Sequence, residues 1–168
     1  MGYTTGFNGA FKLNKPLEAH HSAYLHRFAE TRRMERNAEI ASKFPDTIRE
    51  AAGLPIGEQA GYFVGARGDF GQGKDESIID YNNSPAGQPG LWCQWIPTQN
   101  NTGIKWDGGE KFYNYVEWIE YIIEHFLKPW DYTLNGEVEW DGEDRDDRGK
   151  IVIENNIVST KTAKTVWE

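Results

Sequence analysis

The sequence predicts an α+β fold, in which an antiparallel sheet of about four to five strands packs in two layers against two main helices. Residues 3–13 alternate apolar and polar side chains, as a strand with one buried face does. Residues 112–126 place apolar side chains at steps of three and four, which is the period of a helix. The order strand, helix, insert, strand, strand, helix, strand, strand favours a ferredoxin-like arrangement.

The first strand and the first helix lie before residue 38. Residues 3–13 form the strand, and Asn14 and Pro16 are typical of a helix start. The apolar side chains of this helix are Leu17, Tyr24, Leu25 and Phe28. A basic run at residues 32–36 follows, where positive charge stabilises the end of a helix.

Residues 38–90 form an irregular, Gly-rich insert. It contains a short helix after Asp46 that ends at Gly53, and strand fragments at residues 62–64 and 77–80. A chain of 168 residues is expected to fold as one domain, because domains commonly span ~100–200 residues. The predicted domain is therefore 1–168, with the insert inside it.

Regular structure returns at Leu91. Residues 91–98 (LWCQWIPT) predict a strand, residues 99–103 a turn and residues 104–106 the return strand. A helix is predicted over 111–130, with Asp107 as its cap and Pro129 as its stop. Residues 133–140 and 149–160 predict a final pair of strands, joined by an acidic loop at 141–149.

Three stretches of the chain carry a resemblance to other proteins. GYTTGF at residues 2–7, QPGLWCQW at 88–95 and WDGGEKFY at 106–113 resemble a pattern shared by an uncharacterised group of small bacterial and phage proteins. The resemblance covers most of the chain outside the insert and implies a shared fold. It implies no activity, so no functional residue is transferred from it.

The charge balance restricts the classes of partner. The chain has 26 acidic and 18 basic residues and a net charge of −8 at pH 7. This disfavours general nucleic-acid binding, because such proteins usually present a basic face to phosphates. We expect a cytoplasmic protein without a membrane segment, because the chain shows neither a signal peptide nor a long apolar run.

Several patterns suggest chemistry but lack a required feature. GDFGQGKD at residues 68–75 has P-loop spacing, yet Asp75 stands where that motif needs Ser or Thr. The acidic loop places Arg145 at a calcium-ligand position. His20 and His21 are adjacent and point about 100° apart on a helix, unlike the i, i+4 pair of a helical zinc motif. We therefore predict no catalytic residue, no metal and no cofactor.

The strand at 91–98 offers a candidate binding surface. Its alternation places Leu91, Cys93 and Trp95 on the core face, and Trp92 and Gln94 on the other. Cys93 is then a small apolar core residue, while an indole beside an amide can stack on a planar ligand and hydrogen-bond to it. The predicted ligand-binding residues are Trp92, Gln94, Asp80, Tyr81, Asn82 and Gln88. The alternative is that the insert packs on Trp92 and simply covers it.

The sequence leaves three functions open. The favoured one is a non-catalytic binding or interaction module, which would sequester a small planar ligand or block a host protein. A carboxylate- and metal-dependent hydrolase or nucleotide-processing enzyme would use Asp80, Asp107 or Glu110. An acidic nucleic-acid mimic would array carboxylates along one face.

Overall fold

A computed structural model describes residues 2–66 and 71–168. The chain divides into two compact units. Unit 1 comprises residues 2–17 and 94–168 of the described chain, and unit 2 comprises residues 18–93 with their gap at 67–70. The predicted insert at 38–90 lies within unit 2, and the first three residues of the GDFGQGKD stretch lie outside the described residues.

Both helices and strands are present, which confirms the α+β prediction. The strands are β1 Gly6–Asn8, β2 Phe11–Leu13, β3 Glu35–Arg36, β4 Ile78–Asp80, β5 Trp95–Pro97, β6 Gly103–Trp106, β7 Leu134–Asp141, β8 Arg148–Glu154 and β9 Ile157–Thr162. The helices are α1 Ala19–Glu30, α2 Ala38–Ala41, α3 Thr47–Ala51 and α4 Tyr115–Ile122. A 3₁₀ turn lies at Glu58–Ala60, and a π-helical turn at Ile123–Leu127 continues α4.

Unit 1 contains a sheet with seven strands among the described residues, so the predicted number of four to five is wrong. Its order is β5-β6-β2-β7-β8-β9, with β1 also paired to β7, and every pairing is antiparallel. Two predicted strands are each split. Gly9, at φ 107°, separates β1 from β2, and Asn155 and Asn156 separate β8 from β9. Both asparagines have positive φ, as a two-residue hairpin turn requires.

The core of unit 1 lies along the inner face of this sheet and the apolar side of α4. Its largest members are aromatic, which the high aromatic content of the sequence makes possible. Helix α4 begins four residues later than predicted, because Lys111 and Asn114 both have φ 56° and cannot be helical. The core side chains of α4 and of the π-helical turn that continues it include Trp118, Ile119, Ile122, Ile123, Phe126 and Leu127.

Unit 2 is organised by buried arginines. Arg33 Nη2 donates hydrogen bonds to the carbonyls of Gly61 at 2.7 Å and Phe63 at 2.9 Å. Arg36 Nη1 binds Asp75 Oδ2 at 2.9 Å and Ser77 Oγ at 2.7 Å. The sequence placed this basic run at a helix end, whereas α1 ends at Glu30 and the arginines tie down the Gly-rich segment.

The predicted short helix is confirmed as α3, and Asp46 precedes it. The Asp46 carboxylate makes no cap bond to that helix. It instead accepts hydrogen bonds from the backbone amides of Val64 and Gly65 and from Arg49 Nε. Of the strand fragments predicted in the insert, residues 78–80 form β4, while 62–64 are not a strand. No helix in the described part of the chain has the length and apolar character needed to cross a bilayer.

Candidate functional site

Aromatic side chains of unit 1 gather around Phe7. Its ring centroid lies 5.4 Å from those of Trp95 and Trp106 and 4.9 Å from that of Tyr115. Trp140 joins the group through Tyr115, at 5.9 Å. Trp95 is fully buried, whereas the other four rings are half-buried. Part of this aromatic surface is therefore available to a ligand.

A cavity of about 690 Å³ lies beside these rings. We call it the β7–β9 cavity, because those three strands supply most of its lining. Small-molecule sites commonly have volumes of ~300–1,000 Å³, so it can hold a ligand of that size. The lining residues are Gly6, Phe7, Asn8, Trp106, Glu139, Trp140, Asp141, Arg148, Gly149, Lys150, Lys161, Thr162 and Ala163.

The register of the sheet shows which residues of the four strands lie side by side at the cavity. Phe7, Trp140, Gly149 and Thr162 form one row of Cα partners across β1, β7, β8 and β9. The neighbouring row is Asn8, Glu139, Lys150 and Lys161, whose side chains point to the opposite face of the sheet. Gly149 has a specific role, because a Cβ there would fall 2.5 Å from Cη2 of Trp140. The missing side chain lets the indole lie across β8.

Three basic side chains share one face of β8 and β9. Lys150 and Lys161 are Cα partners, and Arg148 lies two residues from Lys150 on the same face. Like charges directly opposite each other destabilise a sheet. Lys150 Nζ forms an ion pair with Glu137 at 3.1 Å, but no carboxylate of the described residues lies within 4.0 Å of Arg148 or Lys161. A bound anion would therefore reduce repulsion between these cations.

Acidic side chains stand beside the basic ones. Asp141 is the Cα partner of Arg148, and Glu139 is the partner of Lys150. Glu137, Glu139 and Asp141 follow one another on one face of β7 at steps of about 6.8 Å. Because a basic strand runs alongside, this row does not favour the hypothesis of an acidic nucleic-acid mimic.

The acidic loop between β7 and β8 is held by internal hydrogen bonds. Asp147 Oδ2 accepts from the Tyr3 hydroxyl at 2.7 Å, and Oδ1 accepts from Trp140 Nε1 at 3.0 Å. The amide of Asp144 donates to the Tyr3 hydroxyl at 2.9 Å. The Asp147 carboxylate thus positions the Trp140 indole at the cavity.

Burial also changes the ionisation of two groups in unit 1. Loss of solvent, together with the nearby charges of Asp147 and Glu117, raises the pKa of Tyr115 to about 12. Its hydroxyl is neutral at physiological pH. Burial raises the pKa of Asp107, although the hydrogen bond from the Gly109 amide lowers it. That bond is 2.7 Å long and belongs to the loop that follows β6.

The structure places Gln94 differently from the sequence prediction. Strand β5 begins at Trp95 rather than Leu91, so the alternation that placed Gln94 opposite the core face does not extend to it, and Gln94 is 9% exposed. Its Nε2 donates to the carbonyl of Glu110 at 2.7 Å, and its Oε1 accepts from Trp106 Nε1 at 3.1 Å. The amide therefore holds the indole that lines the cavity. Cys93 is fully buried, as expected of an apolar core residue.

The other predicted ligand-binding residues belong to unit 2. Gln88 is buried, and its amide donates to the Gly61 carbonyl at 2.6 Å and accepts from Arg33 Nε at 3.4 Å. Trp92 is half-buried. The guanidinium of Arg32 lies 4.2 Å from the centroid of the Tyr81 ring.

Asp80 and Asn82 form a local turn. The Asn82 amide donates to Asp80 Oδ1 at 2.9 Å, and Asn83 Nδ2 donates to Oδ2 at 2.6 Å. These two hydrogen bonds lower the pKa of Asp80. The ligand-binding role of the six predicted residues stays a prediction, and Gln94 is the one that belongs to unit 1.

The carboxylates named for an enzyme, Asp80, Asp107 and Glu110, are not among the described residues that lie close enough together to hold a metal ion. The group that could hold one consists of Glu18, His20 and His21. Sequence reasoning also missed the cavity cations. The Asn155–Asn156 pair could have predicted a hairpin turn, and that turn places Lys150 and Lys161 opposite each other on adjacent strands.

Comparisons with known proteins add no further constraint. No protein-family model matches the chain, and neither a curated protein nor a solved structure matches it.

Proposed function

We propose that this chain is a binding module without catalytic activity, and that the β7–β9 cavity holds a small planar ligand that carries a negative charge. The observation that supports the proposal is that the half-buried indoles Trp106 and Trp140 line one cavity with the cations Arg148, Lys150 and Lys161. The three cations reach it from the face of β8 and β9 opposite to Trp140. Indole faces bind planar rings by stacking, and paired cations bind phosphate or carboxylate groups. Nucleoside monophosphates combine both features.

The cavity replaces the surface around Trp92 as the favoured ligand site. Trp106 is fixed by Gln94, and Trp140 is fixed by Asp147, so both indoles are held in position before a ligand arrives. Such preorganisation increases affinity, because fewer side chains must be ordered on binding. The proposed ligand is still planar, as the sequence suggested, but it binds in the β7–β9 cavity rather than at Trp92 and carries a negative charge.

The test is a thermal-shift and tryptophan-fluorescence titration with AMP, GMP, CMP and UMP, with adenosine and inorganic phosphate as partial ligands. We expect at least one monophosphate to stabilise the protein by about 2.7 kcal/mol at a concentration of 100 Kd, and adenosine to bind more weakly. The double variant Arg148→Gln/Lys161→Gln should lose this response. Lys105→Gln, an exposed lysine on β6, is the matched control and should keep it.

The proposal is contradicted if none of the four monophosphates shifts the unfolding temperature at millimolar concentration. It is also contradicted if the double variant responds like the control. A ferredoxin-like arrangement, a bacterial or phage origin, a host-protein partner and a cytoplasmic location stay predictions beside it. The hydrolase alternative predicts turnover of a bound nucleotide, which the same titrations reveal when the ligand is analysed afterwards.

A further inference from the structure

Three potential metal ligands meet at the start of α1 in unit 2. Glu18 immediately precedes the helix, and its carboxylate makes no cap bond to it. Glu18 Oε2 lies 3.5 Å from His20 Nε2 and 3.6 Å from His21 Nδ1. All three potential ligand atoms lie within 4.8 Å of one another. The carboxylate thus turns toward the two imidazoles.

These distances suit a shared metal ion better than hydrogen bonds. A hydrogen bond between nitrogen and oxygen is usually ~2.7–3.2 Å long, so both separations are too great for one. Zinc binds imidazole nitrogen and carboxylate oxygen at about 2.1 Å, and a tetrahedron with such bonds has edges of about 3.4 Å. Both measured edges lie close to that value.

The convergence of the two histidines is unexpected for adjacent residues. Their ring centroids lie 4.2 Å apart, so the rings do not diverge as the helical spacing predicts. They present different nitrogens to Glu18, which compensates for the rotation between their Cα–Cβ bonds. A cation bound between them would face both imidazole nitrogens and the carboxylate oxygen.

The site has one fixed ligand and two accessible ones. The His21 side chain is 10% exposed, whereas those of His20 and Glu18 are 43% and 66% exposed. An ion can therefore reach the site from solvent. Rotation of the exposed His20 ring can bring its nitrogen closer to that of His21, which is the third pair of ligand atoms. We propose that Glu18, His20 and His21 bind one divalent transition-metal ion, with Zn²⁺ the best match to two imidazoles and a carboxylate. The fourth position of the tetrahedron is open to water.

The experiment uses the full chain, freed of metal with a chelator and titrated with Zn²⁺ by calorimetry. We expect one ion per chain, and Co²⁺ should give the strong visible absorption of a four-coordinate complex at the same stoichiometry. His20→Ala and Glu18→Gln remove exposed ligands, so both variants should stay folded. Each should weaken Zn²⁺ binding at least about tenfold, because three ligands leave no replacement.

Matched controls lie elsewhere in α1. His26→Asn and Glu30→Gln change the same residue types in that helix and should leave Zn²⁺ affinity unchanged. The proposal is overturned if the wild-type chain binds no Zn²⁺, or if the two ligand variants bind as tightly as the controls. Arg148→Gln/Lys161→Gln should bind Zn²⁺ normally, so this proposal and that of the β7–β9 cavity can fail separately.

Discussion

Replacing Asp147 by alanine should destabilise unit 1 through loss of the link between Tyr3 and Trp140. The carboxylate accepts two side-chain hydrogen bonds, at 2.7 and 3.0 Å. A hydrogen bond to a charged group contributes about 1.5–3 kcal/mol when buried. Asp147 is half-buried, so we take the lower end for each bond and expect a loss of about 2–3 kcal/mol.

The measurement is urea unfolding followed by tryptophan fluorescence, together with thermal unfolding. For a chain of this size, a loss of about 2–3 kcal/mol corresponds to a fall in Tm of roughly 4–12 °C. Asp146→Ala is the matched control, because Asp146 is an exposed neighbour in the same loop. It should change the free energy of unfolding by less than about 0.5 kcal/mol.

A double-mutant cycle separates the contribution of the Tyr3–Asp147 hydrogen bond from the other interactions of Asp147. Tyr3→Phe and Asp147→Ala should together cost less than the sum of the single changes, because each removes the same hydrogen bond. Equal losses for Asp147→Ala and Asp146→Ala would refute the reasoning, since the effect would then be general to the loop. Additive single losses would show that Tyr3 and Asp147 are not coupled.

Two further predictions concern the same unit. Gly149→Ala should lower the free energy of unfolding in urea by about 1–3 kcal/mol, because the added methyl group meets the Trp140 ring and the Lys161 carbonyl. Gly73→Ala is the control, because a methyl group there meets nothing within 4 Å and should change the free energy of unfolding much less. Gly142→Ala cannot serve as a control, since Asp147 and Tyr3 crowd that position. The free energy of unfolding should also fall between pH 10 and about 12, because Tyr115 holds its proton in the folded state up to about 12 and releases it near 10 when unfolded. Tyr115→Phe should make this fall shallower, and an unchanged pH profile would contradict the assignment.

The regular elements were predictable where local pattern decides them. Tyr24, Leu25 and Phe28 follow helical spacing and are buried on α1, and Val138 is buried on β7 between the charged residues Glu137 and Glu139. The breaks between β1 and β2 and between β8 and β9 were harder to predict. Gly9 and the two asparagines at 155–156 interrupt the strands through their positive φ, within sequence that otherwise has a strand pattern. Asn-Asn at a hairpin is a recognisable signal that the strand pattern concealed.

The candidate site depends on contacts that sequence spacing does not reveal. Phe7 and Trp140 are neighbours only because β1 pairs with β7, across more than a hundred residues. A strand that begins at Leu91 places Gln94 on the face opposite the core, whereas β5 begins at Trp95. The shift of that start to Trp95 releases Gln94 from strand alternation and lets its amide bind Trp106.

The division of unit 1 into two chain segments has a consequence for folding order. Strand β2 pairs with β6 and β7, so Phe11 must meet Ile104 and Leu13 must meet Leu134. During synthesis, every residue of unit 2 leaves the ribosome before these partners do. Unit 2 is one continuous segment and can form its contacts first, while β1 and β2 wait as unpaired strands. Closing such distant pairs is slow, so the nascent chain spends longest with its first two strands exposed.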